Sequence, residues 1–295
     1  MASRIIILIF RLLALFSLKW LHRLGWLIGR LFILIPNRER LVSDINLQLC
    51  LPELSVEQRL ALRNRSLEQA GRTLTELAAI WFWPVERVMD RVVSVNGLDL
   101  LQREPGQGLI VLAPHLGCWE IAGLYLARQG RVVSLFRPPR KELLGPIIKV
   151  ARERSGAELV PTDATGVKRL YKVLQSGEIT GILPDQQPDS NKGSVFAPFF
   201  GIPALTMLLV NRLVRKTAAK VVFCYAERLP NGEGFSIHYL PAPGGVDAAD
   251  SLIAAEALNR GIENCIRHCP DQYQWSYKRF KRRPAGGPSL YKRRL

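Results

Sequence analysis

A histidine followed five residues later by a glutamate is the clearest chemical signal in this sequence. Directly before His115, residues 108–114 form the apolar run GLIVLAP, which predicts a buried strand. The residues after it have helical spacing, so His115 is predicted at a strand-to-helix crossing, where α/β sheets place their reactive groups. Histidine is a suitable general base near neutral pH, and a carboxylate about one helical turn away can hold its ring. We therefore predict His115 as a base oriented by Glu120, with a purely structural histidine as the alternative.

Three further polar residues are candidates for the same site. Arg152 and Arg154 lie near the end of a predicted helix over 142–155, where a guanidinium can hold an anionic substrate. The alternative is a solvated helix end, which also favours arginine. Asp185 directly follows a predicted strand, so it either lies near the site or caps a turn or pairs with an arginine.

Two features near these candidates each have two interpretations. Cys118 lies between His115 and Glu120 and could act as a nucleophile, although a free cysteine is more often simply buried. Residues 193–201 (GSVFAPFFG) are apolar and punctuated by Gly and Pro, which predicts an irregular segment. That segment would line an acyl-chain tunnel or cover the core.

The charge of the chain points to anionic partners. Its 295 residues include 41 Lys and Arg against 25 Asp and Glu, giving a formal net charge of +16. Much of the excess lies at the ends, because residues 1–40 contain Glu39 and residues 271–295 contain Asp271 as their acidic residues. Phosphates, an anionic bilayer or an acidic carrier protein are the partners that this charge favours. The 5 cysteines form no zinc-type C-x-x-C pair, which favours a reduced, cytoplasmic-side location without a metal.

The N-terminal segment predicts a membrane anchor. Residues 4–35 are strongly apolar, but basic residues interrupt them too often for a simple membrane span or a signal peptide. On one continuous helix the basic residues and His22 share an arc, and Leu, Ile, Phe and Trp cover the rest. This layout is typical of an interfacial anchor helix, with a tilted span and a helix packed on its own domain as alternatives. We predict an anchor over residues 1–36 and a catalytic domain with a basic C-terminal tail over residues 37–295.

The remaining chain alternates short apolar runs with helical patterns, which predicts an α/β layered mixed sheet flanked by helices. Strands are predicted at 92–95, 109–113, 132–136, 158–161, 180–183, 220–225 and 235–239, and helices at 118–128, 142–155, 166–175, 205–216 and 251–268. The last two strands are expected as an antiparallel addition at one edge of the sheet. No G-x-G-x-x-G or G-x-x-x-x-G-K-[ST] loop is present, so no nucleotide cofactor is expected, and no G-x-S-x-G elbow supports an esterase.

Several motifs in order along the chain carry a resemblance to a known family. They are HLGCWE at 115–120, FRP at 136–138, PDQ at 184–186, KG at 192–193, FFGIPA at 199–204, and QYQW at 272–275 with RFKRRP at 279–284. Together with the apolar anchor, this order resembles the late acyltransferases of bacterial lipid A biosynthesis, the lauroyl and myristoyl transferases. The match extends over essentially the whole chain.

The resemblance implies a fold, a reaction and a location. The fold would be like that of glycerol-phosphate acyltransferases. The enzyme would act at the cytoplasmic face of the bacterial inner membrane. It would transfer lauroyl, or alternatively myristoyl, from acyl carrier protein to a hydroxyacyl chain of a Kdo-bearing lipid A precursor. The family's H-x₄-D/E motif falls on His115 and Glu120, its sensitive arginine on Arg152 and its aspartate on Asp185. Arg152, Arg154 and Lys192 are then candidates for holding phosphates or Kdo carboxylates.

Two other functions remain open from the sequence. A phospholipid or other glycolipid O-acyltransferase would use the same H-x₄-D/E chemistry on another acceptor. A non-catalytic basic protein that binds membranes or nucleic acid would also account for the net charge. That function would not explain why His115 directly follows a buried strand. We therefore expect acyl carrier protein, a lipid A precursor and anionic membrane lipids as partners, and not nucleic acid.

Overall fold

The computed structural model describes residues 2–138, 144–188 and 191–291 and has a central seven-stranded sheet. The strands of this sheet are β1 (Val92–Asn96), β2 (Leu109–Leu112), β3 (Val132–Phe136), β4 (Glu158–Pro161), β5 (Ile179–Ile182), β8 (Lys220–Arg228) and β9 (Phe235–Pro241). Their order across the sheet is β1-β9-β8-β2-β5-β3-β4. A separate hairpin is formed by β6 (Ser194–Phe199) and β7 (Ile202–Met207).

Parallel pairing dominates the sheet, which confirms the predicted α/β class with a mixed sheet. Strand β2 pairs in parallel with both β5 and β8, and β3 pairs in parallel with β4 and β5. Strands β8 and β9 pair antiparallel, as predicted. Their expected position at the edge was wrong, because β1 pairs in parallel with β9 on its outer side.

Helices cover both faces of the sheet. They are α1 (Ala2–Leu13), α2 (Leu18–Leu34), α3 (Arg38–Cys50), α4 (Val56–Phe82), α5 (Val85–Met89), α6 (Trp119–Leu126), α7 (Leu144–Glu153), α8 (Ala164–Gln175), α9 (Leu209–Thr217) and α10 (Ser251–His268). Within β2, Ile110 and Leu112 contribute to one buried apolar cluster, and Leu109 and Val111 contribute to another. This alternation follows from the two-residue period of a strand and shows that β2 is buried on both faces.

The predicted single anchor helix is in fact two helices, because the chain leaves helical geometry between α1 and α2. Helix α2 packs closely on α4, where a Cβ at Gly71 would lie 2.1 Å from the carbonyl oxygen of Gly25. His22 was expected on the basic arc of the anchor helix, but it is buried and forms a 3.0 Å hydrogen bond with Glu76 of α4. Among residues 2–138, 144–188 and 191–291, no helix combines the length and the apolar character needed to cross a bilayer.

The β6–β7 hairpin corrects two sequence predictions. Residues 194–199 form a regular strand in the segment predicted to be irregular, and the turn that follows places Phe200 at a φ of 49°. Because β7 extends to Met207, helix α9 begins at Leu209 instead of residue 205. Glycine at both ends of the segment and Pro198 within it masked the strand pattern, since these residues are depleted from strands in general.

Candidate active site

His115 is held by a buried aspartate. Its Nδ1 lies 2.8 Å from Oδ1 of Asp185, and its backbone N–H donates to Oδ2 of the same carboxylate over 3.1 Å. The side chain of Asp185 is 3% exposed and that of His115 is 14% exposed. Burial alone would raise the pKa of Asp185, but the charge of His115 and its hydrogen bonds outweigh burial and lower it. The ionised carboxylate therefore favours a proton on Nδ1 and leaves Nε2 as the acceptor.

The pairing of these two residues follows from the sheet topology. His115 follows β2, and Asp185 follows β5, the parallel neighbour of β2. The backbone N–H of Ala113 still donates to the carbonyl of Ile182, which keeps the two strand ends side by side. Carboxyl ends of adjacent parallel strands are the usual place for reactive groups in such sheets.

The segment between His115 and α6 is fixed by backbone contacts on both sides. Gly117 donates to the carbonyl of Gln272, and Cys118 donates to the carbonyl of Ala226 in β8. Gly117 has a φ of 61°, and a Cβ there would lie 1.9 Å from the oxygen of Ala226. Because no larger residue fits that approach, the glycine of the motif determines how closely the histidine segment packs on β8.

Glu120 does not hold the imidazole in this structure. Its two carboxylate oxygens accept hydrogen bonds from Nε and Nη2 of Arg152, at 2.9 and 2.5 Å. Burial lowers the pKa of Arg152, but the charge and hydrogen bonds of Glu120 outweigh that effect and raise it. The expected His115–Glu120 contact is thus replaced by a His115–Asp185 pair and a Glu120–Arg152 pair, and a catalytic role of Glu120 stays a prediction.

Arg154 is directed away from the site. Its guanidinium donates to backbone carbonyls of Ile80, Trp81 and Trp83 at the C-terminal end of α4. Arg154 lies just beyond the end of α7 at Glu153, and its side chain contacts α4, whereas that of Arg152 contacts Glu120. In this structure Arg154 caps the C-terminal end of α4, and its substrate-binding role stays a prediction.

A large basic cavity lies beside His115. Its volume is about 1130 Å³, and Arg152 and the predicted Lys192 are in its wall. The sequence prediction missed four other cations that line it: Arg137, Arg212, Arg215 and Lys216. Three of these recur at i, i+3 and i+4 on α9, and that spacing was visible in the sequence. Such a wall suits a ligand that carries several negative charges.

A second, narrower cavity, which we call the apolar slot, extends from the Glu120–Arg152 pair along α6. It has a volume of about 80 Å³ and shares wall residues with the basic cavity, including Arg152, Leu135 and Ile182. Its other wall residues are Val111, Ala113, Trp119, Glu120, Ala122, Gly123, Leu124, Leu126, Val132, Ser134, Ala157, Leu159, Gly181, Leu183 and Cys224. The ring of Trp119 is 5.0 Å from that of His115, so the slot begins next to the histidine.

A buried charge network lies behind the histidine segment. Glu76 of α4 accepts from Nε of Arg228 at 2.6 Å and from Nη2 at 2.5 Å, and it also bonds to His22. Burial would raise the pKa of Glu76, but the charge and hydrogen bonds of Arg228 outweigh it and lower the pKa to about 2. Sequence patterns gave no indication of this network, because its members are 54 and 152 residues apart.

Cys118 lies close to this network and is buried. Burial, followed by the negative charge of Glu76, raises the pKa of its thiol well above the ordinary value. A nucleophilic cysteine needs a lowered pKa and access to substrate, so the structure does not favour that role. Within the described ranges, no group of three or more His, Cys, Asp or Glu is placed to hold a metal ion.

A mixed α/β fold with a histidine–carboxylate pair at its strand ends, beside a basic cavity, defines an enzyme-like group-transfer site. The chain belongs to the bacterial lipid A biosynthesis acyltransferase family, whose model matches residues 2–282. It is 30% identical over 274 residues to the lipid A biosynthesis lauroyltransferase of Escherichia coli K12, covering 92% of this chain and 88% of the relative.

Other relatives carry different acyl names. The lipid A biosynthesis palmitoleoyltransferase of the same organism is 30% identical, with coverage of 91% and 87%. Its myristoyltransferase is 27% identical, with coverage of 93% and 84%. The chain is therefore an acyltransferase of lipid A biosynthesis, as its motifs predicted.

Proposed function

We propose that this protein transfers a fatty acyl group, lauroyl first and myristoyl as the alternative, from acyl carrier protein to a hydroxyacyl chain of a Kdo-bearing lipid A precursor. The observation that carries the proposal is the His115–Asp185 pair at the edge of a cavity walled by cations. The lauroyltransferase named above is 30% identical to this chain over 92% of its length, which supports lauroyl as the first donor to test.

His115 is the general base in this proposal. Its Nε2 takes the proton of the acceptor hydroxyl as the hydroxyl oxygen attacks the thioester carbonyl. The resulting imidazolium is stabilised by Asp185 across the 2.8 Å contact at Nδ1. When the tetrahedral intermediate collapses, the carbon–sulfur bond breaks and His115 returns the proton to the thiolate. The products are an ester on the acceptor and the free thiol of the carrier.

Gln186 controls access to the base. Its side-chain amide nitrogen lies 3.2 Å from Nε2 of His115, and it also donates to Gln274 over 3.4 Å. Because the acceptor hydroxyl needs the same lone pair of Nε2, it displaces this amide when it binds. Glu120 and Arg152 act as a positioning pair on the wall between the two cavities.

The basic cavity suits the acceptor. Lys192, Arg137 and the cationic face of α9 surround a volume large enough for a charged sugar headgroup. Guanidinium groups bind phosphate and carboxylate in bidentate geometry, which matches the phosphates and Kdo carboxylates of such a precursor.

The test is an assay with purified protein, a Kdo-bearing lipid A precursor in mixed micelles, and lauroyl, myristoyl and palmitoleoyl thioesters of acyl carrier protein. Mass spectrometry should show one added acyl group, and His115→Ala should reduce the rate by about 10²–10⁴-fold. Transfer to a glycerophospholipid but not to the lipid A precursor would favour the other acceptor class. No transfer from any acyl carrier thioester would refute the proposal.

We also propose that the N-terminal helices attach this protein to the cytoplasmic face of the bacterial inner membrane by lying in the interface. Large apolar side chains are exposed along α1, α2 and the segment between them, among them Leu15 at 78% and Trp20 at 58%. Arg23 lies over the ring of Trp20 at 4.9 Å, and Arg30 lies over Trp26 at 5.7 Å. Aromatic rings next to cations are suited to the boundary between acyl chains and anionic headgroups.

Vesicle sedimentation tests this attachment. The protein should bind vesicles containing anionic lipid more strongly than zwitterionic vesicles, and replacing Leu15 and Phe16 by Ser should weaken binding to both. Replacing the exposed Leu252 and Ile253 of α10 by Ser is the matched control and should leave binding unchanged. Equal binding by both double variants would contradict an interfacial role for the N-terminal helices.

A further inference from the structure

Helix α6 has a glycine in its interior that the fold does not require. Gly123 lies between Trp119 and Leu126, where glycine is less favourable than any residue except proline. A Cβ at Gly123 would meet no atom of the described residues within 4 Å, so no close backbone approach among them explains it. Its φ is not positive either, so the backbone conformation does not demand glycine.

The space in front of Gly123 is the apolar slot. At about 100° per residue, the slot-lining residues of α6 occupy one arc, and Gly123 is at its centre. Ile121, on the opposite side of the helix, is buried in the core and does not line the slot. Any side chain at position 123 would therefore project into the slot.

The slot has the apolar lining and the position expected for a hydrocarbon chain. It starts at the Glu120–Arg152 pair beside the histidine and is lined further in by Leu126 and Val132. From residue 120 to residue 126 the helix extends about 9 Å. The cavity is narrow, about 80 Å³ against about 1130 Å³ for the basic cavity, and it excludes a charged sugar.

We propose that the apolar slot holds the acyl chain of the thioester donor and that Gly123 keeps it open, so that residue 123 determines which chain lengths are transferred. This inference rests on the proposed transfer reaction. The acceptor carries several acyl chains and a polyanionic headgroup, for which the basic cavity provides the matching charge. The donor carries one linear chain, and placing that chain in the slot leaves its thioester carbonyl beside His115.

The experiment compares wild type with Gly123→Ala and Gly123→Leu, using lauroyl, myristoyl and palmitoleoyl thioesters of acyl carrier protein and shorter saturated donors. Gly123→Leu should lower the rate with the longest donor that wild type accepts by about tenfold or more, relative to the shortest donor. Gly123→Ala should show a smaller shift in the same direction and should not lower the melting temperature, because alanine favours helix. If Gly123→Leu folds poorly, the shift measured with Gly123→Ala still tests the proposal.

Gly244→Leu is the matched control. A Cβ at Gly244 would also meet no atom within 4 Å in the part of the chain that the structure describes, but this glycine lies in a loop outside the slot, so donor preference should not change. A second readout uses a donor with a photoreactive group at the end of its chain, bound to His115→Ala. The label should attach to peptides that contain Leu126 or Val132.

The possible outcomes separate this inference from the proposed function. If wild type transfers no acyl group, the proposed function fails before any variant is tested. If wild type is active but Gly123→Leu slows all donors equally, or changes none, the slot does not hold the donor chain. A preference that follows the chain length of the acceptor instead of the donor would also overturn the inference.

Discussion

Replacing Asp185 by Asn should impair catalysis through His115, whereas replacing Glu120 by Gln should act independently of His115. Asparagine keeps the shape of the aspartate but removes the charge that faces Nδ1 at 2.8 Å. Glutamine at position 120 instead weakens the two hydrogen bonds from Arg152. The two carboxylates therefore belong to separate pairs, and kinetics can distinguish them.

The size of the effect follows from the burial of Asp185. Its side chain is 3% exposed, and removing one partner of a buried charged pair costs about 3–5 kcal/mol. If that cost falls on the transition state, in which the imidazole becomes charged, the rate falls by about 10²–10⁴-fold, since each 1.36 kcal/mol is about tenfold.

Double-mutant cycles are the assay. In the His115→Ala background, Asp185→Asn should cause little further loss of acyl transfer, because the group that it orients is gone. Glu120→Gln should reduce transfer by the same factor in both backgrounds, because its partner Arg152 is unchanged. Melting temperatures of all variants identify any loss that is due to unfolding.

The opposite pattern would refute the assignment. If Glu120→Gln had no further effect in the His115→Ala background while Asp185→Asn kept its full effect, Glu120 would be the residue that acts through the histidine. Asp185 would then have only a structural role.

Three further predictions concern stability. Glu76→Gln should lower the free energy of unfolding by about 3–5 kcal/mol because it leaves the fully buried Arg228 without its partner. Glu68 lies on the same helix as Glu76, and its partner Arg30 on α2 is 48% exposed, so Glu68→Gln should cost about 1 kcal/mol or less; urea titration measures both. Arg154→Met should lower the melting temperature, since it uncaps the end of α4, and leave KM for both substrates unchanged; a raised KM would support its substrate-binding role. Burial lowers the pKa of His22 below 6.5 in the folded chain, and Arg228 lowers the pKa of Glu76 below 4.5. As the pH falls through these values, the unfolded chain therefore binds more protons than the folded chain. Stability should therefore fall as the pH drops below about 6.5 and fall further from about 4.5 to about 2, and His22→Gln should remove the first part of that fall from melting curves.

Most of the sheet was predictable from local pattern. Strands such as β3 and β4 were predicted at their observed bounds because apolar runs between turn residues are a local property of the chain. The β6–β7 hairpin was missed because its prolines and glycines are typical of loops, and only cross-strand pairing over Ser194–Met207 makes it regular. The break between α1 and α2 was also missed, since helical periodicity does not reveal where a helix turns to pack on α4.

The sequence by itself determined the class of protein, the position of His115 at a strand end, and the placement of Asp185 after a neighbouring strand. It could not determine which carboxylate meets the imidazole, because Glu120 is five residues away along the chain and Asp185 is 70. The parallel pairing of β2 with β5 decides that question by bringing two strand ends together. Likewise, only the packing of α7 decides that Arg152 faces the site and Arg154 faces α4, because the direction of a helix face depends on what the helix packs against.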